Sequence, residues 1–266
     1  MTTTDTVQTR RRELSFGLAA ALLGLPLAAR GAPQPPLTLA LIELMPWAAT
    51  TADGTQAGIL VDTADALSLL SGVDLQLRLL PFPRGAAMLR QRQVDLMVAL
   101  QAEQLDRVAT RLGPLSMEDI IVVGRAGTVL RAMSDLKGKI VGRLRNAEYA
   151  AEFAASTDII KYDTSSYRQS LEMLRAGRLD AVIFIRSALL FTLKSMQLPL
   201  AAVGQPLLIG RTPLTMYATA ACAATAAGQA IREACKTLYK RQTVRALAEL
   251  LNTEASELPA ALSWRG

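Results

Sequence analysis

From Leu37 onward, short β-type runs alternate with stretches of helical period, and this alternation constrains the fold more than any other feature of the chain. Strands separated by helices of this kind pack as βαβ units around a parallel sheet, so the pattern predicts an α/β protein. Leu37 to Ile42 reads as a first strand. After the turn signals Asp53-Gly54 and Gly58, Leu60 to Leu70 carries apolar residues at helical spacing. Asp74 to Leu80 alternates as a second strand, a helix follows over Gly85 to Arg92, and Val94 to Leu100 is a third strand. An irregular, Arg-containing stretch then leads to the β-branched Ile120-Ile121-Val122-Val123.

A second series begins with a short helix near Met133 to Leu136, a Lys137-Gly138-Lys139 turn and a strand at Ile140 to Val141. A helix around Ala147 to Phe153 and a strand Asp158 to Tyr162 come next. Ser165 or Ser166 can cap a helix running to Ala176, which Gly177 can end. Asp180 to Ile185 is a strand and Ser187 to Met196 a helix. Past a loop containing Gly204, Pro206, Gly210 and Pro213, a strand Met216 to Ala221 precedes closing helices over Ala226 to Tyr239 and Thr243 to Leu251.

Composition narrows the chemistry. With 51% hydrophobic residues among 266, the chain can bury a sizeable core, and disorder is excluded. It contains no His, so Ser-His-Asp and Cys-His nucleophile pairs, His metal ligands and imidazole acid-base work are all ruled out. No cofactor, catalytic or metal site is predicted.

Arg10, Arg11 and Arg12 precede a 16-residue apolar run, Leu14 to Ala29, followed by small residues and the Pro-rich Pro33 to Pro36. The run is short for a membrane span, and its flanks are those of an export signal over residues 1–31, cleaved between Ala28 and Ala32. Its arginines resemble a twin-arginine signal, although Glu13 sits where an apolar residue is common, which leaves the general secretory route open. Removing the signal lowers the net charge from +6 to +4. The remaining basic residues are scattered, and an exported chain meets little nucleic acid, so no nucleic-acid partner is expected. Cys222 and Cys235 could be joined in an oxidising periplasm or could be small buried thiols.

Several segments, in order over Leu37 to Leu251, resemble the family 3 extracytoplasmic solute-binding proteins of bacterial ABC transporters, the family of polar amino acid binders. They are Glu43-Leu44-Met45-Pro46-Trp47, the Asp53-Gly54 turn with Gly58 to Asp62, Pro83-Arg84, Val94-Asp95-Leu96, and Leu174 to Val182 with Tyr162-Asp163 upstream. The resemblance implies a two-lobed type II periplasmic binding protein fold with two crossover hinge strands, here about Asp119 to Gly127 and Thr212 to Cys222. Lobe one would be residues 37–123 plus 216–266, and lobe two residues 124–215. A cleft between two such lobes suits capture of a small molecule. The resemblance further implies a monomer that delivers its solute to an ABC permease in the inner membrane.

It also implies the site. Arg107 matches the family's carboxylate-gripping arginine, a role that suits the planar, bidentate guanidinium. Gln104 stands where Thr is usual, and Arg107 lies closer to Pro114 than in the family pattern. In the second lobe, Asn146-Ala147-Glu148 replaces a Gly-Thr-Thr stretch, and Ile185 replaces the Asp that pairs with a ligand α-ammonium. An ammonium buried without a counter-charge is costly, so Glu43 or Glu148 would have to substitute. The expected ligand-binding residues are therefore Glu43, Trp47, Arg84, Gln101, Gln104, Arg107, Arg145, Asn146 and Arg186, with Tyr149 and Tyr167 as weaker candidates. Trp47 would cover an apolar or planar part of the ligand. The concentration of arginines points to an anionic or carboxylate-bearing solute. Two other functions stay open: a dehydratase-like enzyme using Glu43 or Glu148 beside an arginine, and a ligand-sensing accessory protein.

Overall fold

The computed structural model describes residues 35–145, 147 and 149–254. The expected export segment and its cleavage site, Asn146 and Glu148 lie outside the described residues. Everything described below belongs to the unit Pro36–Gly266.

In chain order the elements are β1 (Leu37–Ile42), β2 (Ala49–Thr50), β3 (Gln56–Ala57), α1 (Ile59–Ser71), β4 (Leu75–Leu80), α2 (Phe82–Arg90), β5 (Leu96–Leu100), α3 (Glu103–Asp106) and β6 (Thr110–Gly124). Then come β7 (Ile140–Leu144), α4 (Ala151–Ala155), β8 (Ile160–Thr164), α5 (Tyr167–Arg175), β9 (Ala181–Ile185), α6 (Arg186–Ser195) and β10 (Leu207–Ala218). Helices α7 (Ala220–Ala223), α8 (Ala226–Lys240) and α9 (Thr243–Glu254) close the chain. Eight strands form one sheet in the order β4-β1-β5-β10-β6-β9-β7-β8, and β2 and β3 make a separate hairpin.

The sheet has two parallel ends around an antiparallel middle. β1 runs parallel to β4 and β5, and β7 runs parallel to β8 and β9. Between these ends, β10 pairs antiparallel with β5 and β6, and β6 antiparallel with β9. Each end is thus a βαβ set, and the long strands β6 and β10 join them.

Local sequence explains most of these elements. The buried residues of α1, namely Ile59, Leu60, Thr63, Ala64 and Leu67, fall on one helical stripe that packs with Leu39, Leu41 and Leu96 of the sheet. Each fully buried Leu or Ile side chain contributes roughly 1.5–3 kcal/mol. Gly72 stops the helix at φ 68°, a left-handed conformation in which its N–H donates to the Ser68 carbonyl. At α5 the capping is reciprocal: Ser166 Oγ accepts from the Gln169 N–H at 3.1 Å, and the Gln169 side chain accepts from the Ser165 N–H at 2.7 Å.

The two joining strands extend further than local pattern predicts. β6 begins at Thr110, inside the stretch expected to be irregular, and β10 begins at Leu207, inside the expected Gly- and Pro-containing loop. Gly113 and Pro114 weaken a strand intrinsically, since Pro has no N–H to donate. The ladder accommodates them with register shifts between Leu214 and Thr215 and between Met216 and Tyr217, opposite these residues. Smaller shifts occur at α2, which starts at Phe82 rather than Gly85 because Pro83 is tolerated in a first turn, and at β8, which ends at Thr164 rather than Tyr162.

Cys222 and Cys235 are free and buried, and burial pushes their pKa values up to about 11 and about 12. They are protonated, unreactive thiols at neutral pH.

Candidate ligand site

All six parallel strands point their carboxyl ends at one cavity of about 390 Å³, within the usual size of a small-molecule site. Ile42 and Glu43 follow from β1, Pro81 and Phe82 from β4, Leu100 and Ala102 from β5, Leu144 and Arg145 from β7, Thr164 and Ser165 from β8, and Ile185 from β9. Leu214, midway along β10, lies between the two sets. The crevice outside the carboxyl ends of parallel strands is the expected place for a ligand in an α/β sheet, because chain direction changes there and leaves room.

The wall from the first end of the sheet is apolar. Trp47 is 4% exposed and is held by its backbone, donating to the Leu44 carbonyl at 2.8 Å and accepting from Leu60 N–H at 2.8 Å. That approach requires Gly58, where a Cβ would come within 2.6 Å of the Trp47 carbonyl oxygen and where φ is 129°. The start of α1 therefore fixes the loop that carries the indole. Leu60, Phe82, Val98 and Leu100 continue this wall, and Glu43 is its one charged residue.

The wall from the other end is mixed, and its hydroxyls bond to their own neighbours. Tyr149 and Tyr167 place their hydroxyls 3.2 Å apart, and the Tyr167 ring stacks on Phe184 with centroids 4.7 Å apart. Burial raises both phenols, Tyr167 to about 12 and Tyr149 well above its ordinary value, so both stay neutral. Thr164 Oγ1 donates to the Arg143 carbonyl at 2.9 Å and lies 2.7 Å from Ser170 Oγ. Ser165 Oγ donates to Gln169 at 2.9 Å. Arg145, fixed by its N–H to the Thr164 carbonyl at 3.1 Å, is the only cation lining the cavity among the described residues, and no ion pair engages it there.

The structure distributes the sequence-predicted residues unevenly. Glu43, Trp47 and Arg145 line the cavity, as do Tyr149 and Tyr167. Arg84, Gln101, Gln104, Arg107 and Arg186 are not among the lining residues, and Asn146 is outside the described ones. Arg107, just after α3, lies 2.5 Å from Glu103 with both side chains largely exposed. Arg186 Nε donates to Asp119 of β6 at 3.0 Å, and Arg211 of β10 reaches the same carboxylate at 2.9 Å. Gln101 donates its backbone N–H to the Pro213 carbonyl at 2.8 Å. Ile42, Phe82, Leu100, Thr164 and Leu214 line the cavity without having been singled out in the sequence. Position at a strand's carboxyl end was the available signal for most of them.

Glu118 sits on β6, 9% exposed, with its carboxylate accepting from Ser116 Oγ. Its partner in register is Thr212, two residues along β10 from Leu214, so Glu118 shares the cavity-facing side of the sheet with Leu214. Burial raises its pKa, the Ser116 hydroxyl opposes the shift, and Asp119 adds to it. Among the described residues, no group of three or more His, Cys, Asp or Glu is placed to hold a metal ion, and no helix is long and apolar enough to cross a membrane.

The sequence matches no family model and no curated protein. Solved structures match it over most of its length. A histidine kinase sensor domain with similarity to periplasmic binding proteins aligns at TM-score 0.68 and 18% identity, covering 82% of this chain and 96% of that one. The GluR0 ligand-binding core from Nostoc punctiforme in complex with L-glutamate aligns at TM-score 0.67 and 17% identity, covering 81% and 99%. A Salmonella typhimurium periplasmic binding protein of high arginine specificity aligns at TM-score 0.64 and 18% identity, covering 82% and 99%. At these identities the likeness is one of architecture: a mixed α/β chain of two ends joined by two long strands, the fold of the type II periplasmic binding proteins.

Proposed function

We propose that this chain is an exported, monomeric receptor that captures a small carboxylate-bearing or otherwise anionic solute between two lobes and presents it to an ABC permease. The observation that carries the reading is the single cavity on which all six parallel strands converge, three from each end of the sheet. Residues 37–123 and 216–266 act as one lobe and 124–215 as the other, with β6 and β10 as the hinge. Arg145 supplies the cation for the anionic head, and its exposed guanidinium leaves the donors accessible. Binding without turnover is the proposed activity.

The test is a thermal-shift screen of the purified protein against amino acids, dicarboxylates, aromatic and aliphatic acids, sulfonates and cationic amines. A ligand at 100 times its Kd stabilises by about 2.7 kcal/mol, which is several degrees for a chain of this size. A hit among the acids supports the reading, and silence across the panel refutes it. The likeness to a histidine kinase sensor domain favours one second reading, in which the bound form signals to a membrane sensor instead of feeding a permease. Capture of a sensor rather than a permease by the ligand-loaded protein separates the two.

A further inference from the structure

Resting on the receptor reading above, we infer that the solute is a monocarboxylate with an uncharged, apolar body, such as an arylalkyl or branched aliphatic acid. Its carboxylate would sit on Arg145 and its body between Trp47, Phe82, Ile185 and Leu214. The matched structures include a core in complex with L-glutamate and a protein of high arginine specificity, so the inference sets this chain apart from them.

Arg145 and Glu43 are the only charged side chains lining the cavity among the described residues. The hydroxyls that line it are already engaged within the protein, Tyr149 with Tyr167, Thr164 with the Arg143 carbonyl, and Ser165 with Gln169. Two other arginines near the strand ends are committed as well: Arg143 donates to Asp163 at 2.8 Å, and Arg186 donates to Asp119. A second carboxylate on the ligand body would therefore find no cation beyond Arg145 among the described residues, and a guanidinium would meet only Glu43, whose side chain is exposed and largely hydrated, so both are disfavoured relative to an apolar body. Ile185, buried at the end of β9, offers an alkyl surface at the centre of that wall. Trp47 and Phe82 face the ligand space from the other side and suit a flat or branched apolar group. A dicarboxylate would also meet Glu43, a like charge.

Calorimetry of the full protein with 3-phenylpropionate, 4-methylpentanoate, L-phenylalanine, L-leucine, L-arginine, L-glutamate and succinate tests this. The expected result is that at least one apolar-bodied ligand binds ten times or more tighter than L-arginine, L-glutamate and succinate, and that Arg145→Gln weakens it by ten times or more. Tighter binding of arginine, glutamate or succinate would overturn the inference and leave the receptor reading standing. No binding by any of the seven would overturn the inference, and silence in the wider acid panel as well would remove the receptor reading. Equal affinity in wild type and Arg145→Gln would overturn the placement of the carboxylate. Comparing 3-phenylpropionate with L-phenylalanine in Glu43→Gln then distinguishes the two sources of the shared chemistry. A preference for the amino acid that this variant abolishes places an ammonium on Glu43, and a preference for the amine-free acid in both proteins assigns the head to Arg145 alone.

Discussion

The two walls of the cavity are built differently. The wall around Trp47 and Phe82 is apolar and locked by backbone contacts to the start of α1, with Glu43 at its edge. The opposite wall carries hydroxyls hydrogen-bonded within the protein, with Arg145 as its one cation among the described residues. The difference separates two tasks. An apolar, rigid platform gives a ligand body burial energy without requiring specific partners, whereas the mixed wall positions one charge and offers few further donors.

Trp47→Ala tests the platform most severely. Truncating a buried aromatic costs about 3–5 kcal/mol, so urea unfolding should show a large loss of stability together with loss of ligand binding. A variant that keeps full stability would mean that Trp47 is not part of the packed wall. On the opposite side, Tyr149→Phe removes one hydrogen-bond partner of the buried Tyr167 hydroxyl and should cost about 0.5–1.5 kcal/mol. The double change Tyr149→Phe with Tyr167→Phe removes both partners and should recover much of that loss. Additive losses in this cycle would show that the two hydroxyls do not depend on each other.

Glu118, buried on β6, provides a pH test. Its folded-state pKa is raised by burial above the ordinary 4.5, so the folded protein holds that proton more tightly than the unfolded chain. The stability this contributes is present below about 4.5 and is lost as pH rises through the raised value. Glu118→Gln should therefore gain on wild type over that window and keep a constant difference at higher pH, as read from unfolding curves at a series of pH values. A difference that does not change with pH would show that Glu118 ionises normally.

The smallest stability effects belong to the exposed arginines. Arg107→Gln breaks a surface pair with Glu103 and Arg145→Gln breaks none among the described residues, so each should stay within about 0.5 kcal/mol of wild type by urea unfolding. A larger loss in either would give that arginine a structural role.

The α/β class and the places of most parallel strands along the chain were legible because they rest on local signals, as with the Leu37 to Ile42 run, the Gly177 stop and the Ser166 cap. The lengths of β6 and β10 were not. Gly113, Pro114, Gly210 and Pro213 read locally as breakers, and only pairing between residues about a hundred positions apart holds them in strands. At the site, the loop after β1 could be read from Glu43 and Trp47, and the end of β7 from Arg145. That Tyr149 bonds Tyr167, and that Thr164 bonds the Arg143 carbonyl and Ser170, is a property of groups brought together by the fold, with no local sequence signature.

The two walls also make separable claims about where the anionic head sits. The most direct measurement is the affinity of the tightest-binding acid for wild type, Arg145→Gln and Arg107→Gln by calorimetry. The account predicts a loss of ten times or more in Arg145→Gln and a change of less than about twofold in Arg107→Gln, since the latter side chain does not line the cavity. Loss of binding in Arg107→Gln with full affinity in Arg145→Gln would contradict it.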